Sequence, residues 1–372
     1  MPSAAPKIAV DLRALVPAPT GIGVYTRSLL LALAARGAVR LVGMAHRPPR
    51  EAGELAAAGI ELESQDAPLG VIWQQLRLPR RLARGDFDLL WSPLITLPLR
   101  GRTPAVATVH DLTALLFPET HTLKVRWSLL PFLRPSFERA RRLVTISEAT
   151  ARDLAFHFPQ CAEKIRVVYP GIDPEFRPGE RADIVATRNE LGAPGGYILY
   201  AGTLEPRKNV GALVDAWTAL KSQDPDFPPL VLAGGYGWGS ERLAKRIEAL
   251  EPEGVIATGR VERPRLVRIF QAASVFAFPS HYEGFGFPAA EAMACGVPVV
   301  TSDTSSLPEV VGDAGLLVDP GDSGGLAMKI KSLLDHPERA ARLAARGIER
   351  ASRFRWERAA AEMEEVFFEA LA

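Results

Sequence analysis

Thirteen short apolar runs rich in Val, Ile and Leu recur along the chain with helical-period stretches between them, and this alternation limits the possible folds more than any other feature. Strands covered on both faces read as continuous apolar runs, and parallel neighbours need a long crossover that a helix supplies. The pattern predicts an α/β chain built on doubly wound parallel sheets. A first series of strands is expected at 7–12, 39–45, 59–63, 87–91, 105–109, 143–146 and 165–169, with a helix over 22–36 closed by Gly37. A second series is expected at 197–202, 230–233, 255–258, 275–278, 297–300 and 316–318.

The cadence breaks at Pro170-Gly171-Ile172-Asp173-Pro174, with Pro178 close behind, a stretch that continues neither a central strand nor a helix. It divides the chain into 1–178 and 179–355, each expected to be a Rossmann-like domain. A length of 372 residues fits two such domains. Beyond Asp322 the chain reads as helical, and the last stretch, 356–372, is expected to cross back onto the first domain.

In open parallel sheets, ligands bind beyond the carboxyl ends of the strands, where helices begin and their free N–H groups favour anions. Two such sheets facing each other would frame a cleft, so the loops after strands are where chemistry is expected. The densest of these is His281-Tyr282-Glu283-Gly284-Phe285-Gly286-Phe287-Pro288, running on to Glu291. Gly284 and Gly286 leave room for close approach of a ligand to the backbone. Pro288 suits the first turn of a helix, which would put Glu291 in that turn as well. A second cluster, Gly202-Thr203-Leu204-Glu205-Pro206-Arg207-Lys208-Asn209, opens a helix with two cations, a receptor for a diphosphate.

Three further elements are weaker alone. His110 ends the run 105–109 and Asp111 follows it. Gly21 and Gly23 form a glycine turn at the head of the first helix, but Thr26 stands where a dinucleotide fingerprint needs glycine. Asp86-Phe87-Asp88 matches a metal-binding D-x-D pattern, yet it precedes its strand and so belongs at the edge away from the cleft.

Composition removes several classes of function. The chain has 44 basic and 43 acidic side chains, far from the excess of a nucleic-acid binder. The halves differ, however: residues 1–180 hold 23 basic and 17 acidic side chains, and the rest hold 21 and 26, so the first half favours an anionic partner. Much of that excess lies at Arg77, Arg80, Arg81 and Arg84 and at Arg134, Arg139, Arg141 and Arg142, in stretches that read first as solvated helix faces. Cys161 and Cys295 are too few for a disulfide framework or a cysteine-based zinc site. The longest uncharged apolar run, 89–99, contains two prolines and is well short of the ~20 residues that span a bilayer. The start, MPSAAPKIAV, lacks the charged flank and apolar block of a leader, so a cytoplasmic protein is expected, with peripheral contact at the inner membrane surface through its basic first domain.

Taken together, these residues resemble glycosyltransferase family 4, retaining nucleotide-sugar transferases with the GT-B fold. The resemblance runs through the glycine turn at Gly21, His110-Asp111, Thr145-Ile146-Ser147-Glu148, Val168-Tyr169-Pro170-Gly171-Ile172-Asp173, Arg207-Lys208 and the E-x7-E element from Glu283 to Glu291. It implies that Glu291 holds the donor ribose and that Glu283, with the backbone of Gly284, Phe285 and Gly286, holds the donor sugar. Arg207 and Lys208 would neutralise the diphosphate, and His110 would contact the transferred sugar. Gly21 and Gly23 would close over the phosphates or border the acceptor, and Gly259-Arg260-Val261 would rim the base. No metal is expected. Many relatives carry arginine where Thr203 stands, and Arg207 would compensate. The variant Gly-Thr-Leu-Glu-Pro-Arg-Lys-Asn is similar to bacterial mannosyltransferases of polysaccharide assembly, which favours GDP-mannose over UDP-sugars as donor. The acceptor is left open between a glycan, a lipid-linked and a small-molecule substrate. A nucleotide-sugar epimerase and a non-catalytic nucleotide-sugar-binding partner are the alternatives.

Overall fold

The computed structural model describes residues 5–16, 20–118 and 123–372, the side chains of 123–128 excepted. The first four residues, on which part of the leader expectation rests, lie outside that description. The chain forms two compact units, one of 1–171 with 354–372 and the other of 172–353.

In the first unit, seven strands pair in parallel: β1 Lys7–Asp11, β2 Arg40–Ala45, β3 Glu61–Ser64, β4 Leu89–Ser92, β5 Ala105–Val109, β6 Arg142–Thr145 and β7 Ile165–Val167. Their order is β3-β2-β1-β4-β5-β6-β7, so the direction of winding reverses beside β1 and β4. Such reversals place loops in opposite directions and open a crevice at the carboxyl edge. The central strands β1, β4 and β5 bury their apolar side chains almost completely, which is why their sequences alternate so little. The helix Gly21–Arg36 begins at Thr20, whose hydroxyl accepts the Gly23 N–H at 3.2 Å, and ends at Gly37 with φ of 67°.

The terminal helix Trp356–Leu371 belongs to this unit and packs along Gly21–Arg36. Phe367 meets the Trp91 ring at 5.7 Å, and Glu364 pairs with Arg36 at 2.8 Å. Gly171 faces the start of this helix so closely that an added Cβ would stand 2.3 Å from the Trp356 backbone nitrogen.

The second unit holds six parallel strands, β8 Ile198–Ala201, β9 Leu230–Ala233, β10 Val255–Gly259, β11 Val275–Phe278, β12 Val299–Ser302 and β13 Gly315–Val318, in the order β10-β9-β8-β11-β12-β13. Tyr200, Phe278, Phe276 and Phe270 form a line of ring contacts through its core. All thirteen runs expected from the sequence form strands, with ends that agree or differ by at most two residues. Those differences have local causes. Leu12, for example, leaves β1 because the Asp11 carboxylate accepts the Arg13 N–H and turns the chain into the 3-10 segment Leu12–Leu15.

Candidate functional site

At the carboxyl edge of the second sheet, the loops after β8, β11 and β12 meet. Gly202 leaves β8 with φ of 144°, where a Cβ would crowd the Tyr200 hydroxyl, and that hydroxyl donates to the Thr203 carbonyl at 2.9 Å. The chain then makes the short 3-10 turn Pro206–Lys208 and passes through Asn209 in the left-handed region at φ of 55°. The Asn209 amide donates to the Pro320 carbonyl at 2.7 Å, which fixes the entry into the helix Val210–Gln223.

This turn aims two cations at one carboxylate. The Lys208 ammonium donates to both oxygens of Glu283, at 2.5 and 2.7 Å. It also stands 5.3 Å from the Phe278 ring centroid. Arg207 donates to Glu205 Oε1 at 2.6 Å and to the Tyr282 carbonyl, and its Nη1 is 3.5 Å from Glu283 Oε2. Main-chain bonds lock the two loops together, because the Arg207 carbonyl accepts the His281 N–H at 2.9 Å. The side chains of Arg207, Lys208 and Glu283 are only 15%, 13% and 9% exposed, so charge placed here acts through a medium far less screening than water.

The sequence alone suggested cations open toward the ligand. The structure instead has them balanced by Glu205 and Glu283 in a neutral, prearranged quartet. Two serines that sequence reasoning passed over complete the support. Ser305, in the left-handed region at φ of 52°, accepts the Glu283 N–H at 2.9 Å. Ser306 donates to the carbonyls of Glu283 and Phe285 at 2.9 and 2.8 Å. Their position just after β12 was the available signal.

Glu291 requires a correction. The helix Phe287–Ala294 begins one residue before Pro288, because Gly286 with φ of 98° is its N-terminal cap. Glu291 therefore stands at the start of the second turn. Removal from water pushes its carboxyl up to about 7. Arg263 opposes that rise, but it is already paired with Asp173 and Glu175, whose negative charges add to it. Gly259 ends β10 at φ of 62°, with open space where a side chain would be. With β9 and β8 between β10 and β11, Gly259, Arg260 and Val261 lie on the opposite side of β8 from Glu283.

In the first unit, His110 follows β5 and is buried. Its Nε2 lies 2.8 Å from the Pro93 carbonyl, which only accepts, so Nε2 carries the proton and Nδ1 keeps its lone pair. Burial lowers its pKa, against smaller upward pulls from the Pro93 bond and Asp111, so the ring is neutral at pH 7. The Tyr25 and His110 rings stand nearly perpendicular, with centroids 4.7 Å apart. Asp111 accepts the N–H of Thr113 at 2.8 Å, which makes it a turn-capping group.

Gly21 and Gly23 also need revision. They lie inside the first turn of the helix Gly21–Arg36 and do not form a separate loop; Gly21 faces open space, whereas a Cβ on Gly23 would approach the Ala14 carbonyl to 3.1 Å. A buried network at the end of β1 went unread in the sequence. Asp11 accepts from Arg13 Nε at 2.9 Å and from Gln74 Nε2 at 3.3 Å, and Gln74 also donates to the Thr96 carbonyl. An aspartate closing an apolar strand was its only mark. Asp88 accepts the Lys7 N–H and Asp86 pairs with the Lys7 ammonium, which puts the D-x-D at the amino-terminal edge of β1.

A family model described as glycosyltransferase family 4 matches residues 19–176, and one described as glycosyl transferases group 1 matches 186–350. The chain is 36% identical to O-antigen chain mannosyltransferase B of Escherichia coli over 78% of its own length and 77% of the relative's. It is 35% identical to D-inositol 3-phosphate glycosyltransferase of Saccharomonospora viridis over 63% of its length, spanning 56% of that relative. Among solved structures, sucrose-phosphate synthase from Thermosynechococcus elongatus superimposes with a TM-score of 0.77 at 24% identity, covering 98% of both chains. HepE of Anabaena, crystallised with UDP and glucose, superimposes with 0.74 at 21% identity, covering 97% of this chain and 99% of that one.

Proposed function

We propose, starting from the fact that the chain belongs to glycosyltransferase family 4 and has the GT-B architecture, that it moves a mannosyl unit from GDP-mannose to a glycan or lipid-linked acceptor with retention of configuration. The observation that carries this reading is the cluster of Arg207, Lys208 and Glu283 at the carboxyl edge of the second sheet. The Escherichia coli relative's name supports mannose as the sugar.

Breaking the bond between sugar and diphosphate builds negative charge on the leaving phosphate, so fixed donors at that point lower the barrier. Arg207 and Lys208 are the groups that receive it, and no metal is needed for that task. Glu283 and the backbone of Gly284 to Gly286 hold the sugar hydroxyls. The neutral His110 ring, with a lone pair on Nδ1, offers an acceptor to a hydroxyl of the transferred hexose, and the departing phosphate takes the acceptor's proton on the same face. The positive first half suits an acceptor or surface that carries negative charge.

A melting series with GDP- and UDP-sugars in EDTA tests the donor, followed by product analysis with and without an acceptor. A ligand at 100 times its dissociation constant adds ~2.7 kcal/mol of stability. GDP-mannose is expected to raise the melting temperature and to yield a mannosylated product without added metal. No response to any nucleotide sugar would sink the reading, and sugar conversion with no acceptor would identify an epimerase.

The Glu291 carboxyl gives a pH prediction. Ribose hydroxyls donate hydrogen bonds, so the ionised carboxylate is the form that binds, and in the free protein that form is lost below about 7. Donor affinity should therefore weaken as pH falls through 7, by about thirtyfold between pH 8 and pH 5.5 if the protonated form does not bind. Titration calorimetry checks this, and Glu291→Gln should flatten the profile. A flat wild-type profile would remove Glu291 from the ribose.

A further inference from the structure

The helical stretch from Gly70 to Ala83 carries an unusual outer face. Its central turn, Trp73–Arg77, is a π-helix, which turns Gln74 inward to the Asp11 network and leaves Leu76 outside. Leu69, Ile72 and Leu76 follow one another at spacings of three and four and are 49%, 38% and 47% exposed. A second segment joins them: the Leu99 N–H donates to Gln75 Oε1 at 3.0 Å and Gln75 Nε2 donates to the Leu97 carbonyl, while the Leu99 side chain is 39% exposed. Four large apolar side chains thus stand in water on these two adjoining segments. Contiguous apolar exposure of this kind marks an interaction surface.

Charge identifies what the surface meets. Residues 68–84 and 98–103 contain no aspartate or glutamate, and Arg81 is paired with Glu63. The other five arginines there, Arg77, Arg80, Arg84, Arg100 and Arg102, are exposed, and among the described residues none of them forms an ion pair. A second copy of the chain would oppose five uncompensated cations with five more, which is repulsive. Apolar side chains surrounded by arginines fit the boundary between anionic headgroups and acyl chains.

We infer that the helical stretch Gly70 to Ala83 and the loop at Leu99 form a seat on an anionic lipid bilayer, with Ile72, Leu76 and Leu99 entering the interface and the arginines engaging the headgroup phosphates. This deepens the proposed function by naming the partner of the positive first unit. It does not depend on the donor.

Vesicle flotation at about 150 mM salt tests it, with phosphatidylcholine alone or mixed with about one third phosphatidylglycerol. Wild type should float with the anionic vesicles only. Arg80→Gln with Arg100→Gln should lower the partition coefficient about thirtyfold, from ~1 kcal/mol per surface cation. Ile72→Asp with Leu76→Asp should lower it at least tenfold. All four positions are exposed, and if the aspartate pair fails to fold by circular dichroism the glutamine pair still decides. Wild type that ignores anionic vesicles, or variants that bind as wild type does, would overturn the inference. So would a dimer in light scattering that the aspartate pair dissolves without any vesicle capture. The melting response to nucleotide sugars should be unchanged in every variant; its absence in wild type would strike the transferase reading and leave this one standing.

Discussion

Replacing Lys208 by alanine should lower turnover at saturating donor by a hundredfold or more. The ammonium is held 2.5 and 2.7 Å from the Glu283 oxygens, in a site where the side chains concerned are nine-tenths or nearly nine-tenths buried. Unit charges ~4 Å apart at an effective dielectric of about 20 interact by ~4 kcal/mol, more than a neutral hydrogen bond contributes. Charge on the leaving phosphate is greater at the transition state than in the bound donor, so the loss should fall mainly on kcat and less on KM. The variant also leaves the Glu283 carboxylate facing Arg207 alone, at 3.5 Å, and that negative charge then repels the diphosphate. Lys208→Arg keeps the charge with different geometry and should recover part of the rate. Steady-state kinetics over a range of donor concentrations separates the two parameters; turnover near that of wild type in the alanine variant would exclude Lys208 from the chemistry.

The fold was legible because parallel strands buried on both faces leave apolar runs that no other element produces at that spacing. What the runs could not define were their ends, where single side chains decide: Asp11 turns the chain out of β1, and Gly286 starts a helix one residue before Pro288. The site divides the same way. Each loop was recognisable from its place after a strand, but the pairing of Lys208 with Glu283 spans 75 positions and depends on two strands being neighbours in the sheet. Without that adjacency, two cations look free and a glutamate looks solitary. The serines at 305 and 306 were invisible for the same reason, since their partners are supplied by another loop. The arginines from 77 to 84 have the sequence pattern of a solvated face, and nothing local shows that a π-turn leaves Leu76 beside them in water.

Gly234→Ala should be the most damaging substitution of a single methyl group near the site. A Cβ at this position would lie 1.9 Å from the Gly202 carbonyl oxygen and 2.7 Å from its carbon. Both are backbone atoms, so no side chain can rotate away, and the strand ends themselves must separate. They are held on both sides of the clash. The Gly202 N–H donates to Ala233 and the Leu204 N–H donates to Gly235, each at 2.9 Å, and Ala201 pairs with Ala233 in the ladder of β8 and β9. Overpacking typically costs about 1–3 kcal/mol, and each main-chain bond broken adds about 1. A loss of roughly 2–4 kcal/mol would lower the melting temperature by several degrees in a protein of this size. The displaced segment leads directly to Arg207 and Lys208, and a misplacement of about 1 Å can cost a hundredfold in rate. The neighbouring glycine supplies the control: a Cβ on Gly235 meets nothing within 4 Å, so Gly235→Ala should melt and turn over much as wild type does. Equal behaviour of the two alanine variants would mean that the loops after β8 and β9 are not braced against each other in this way.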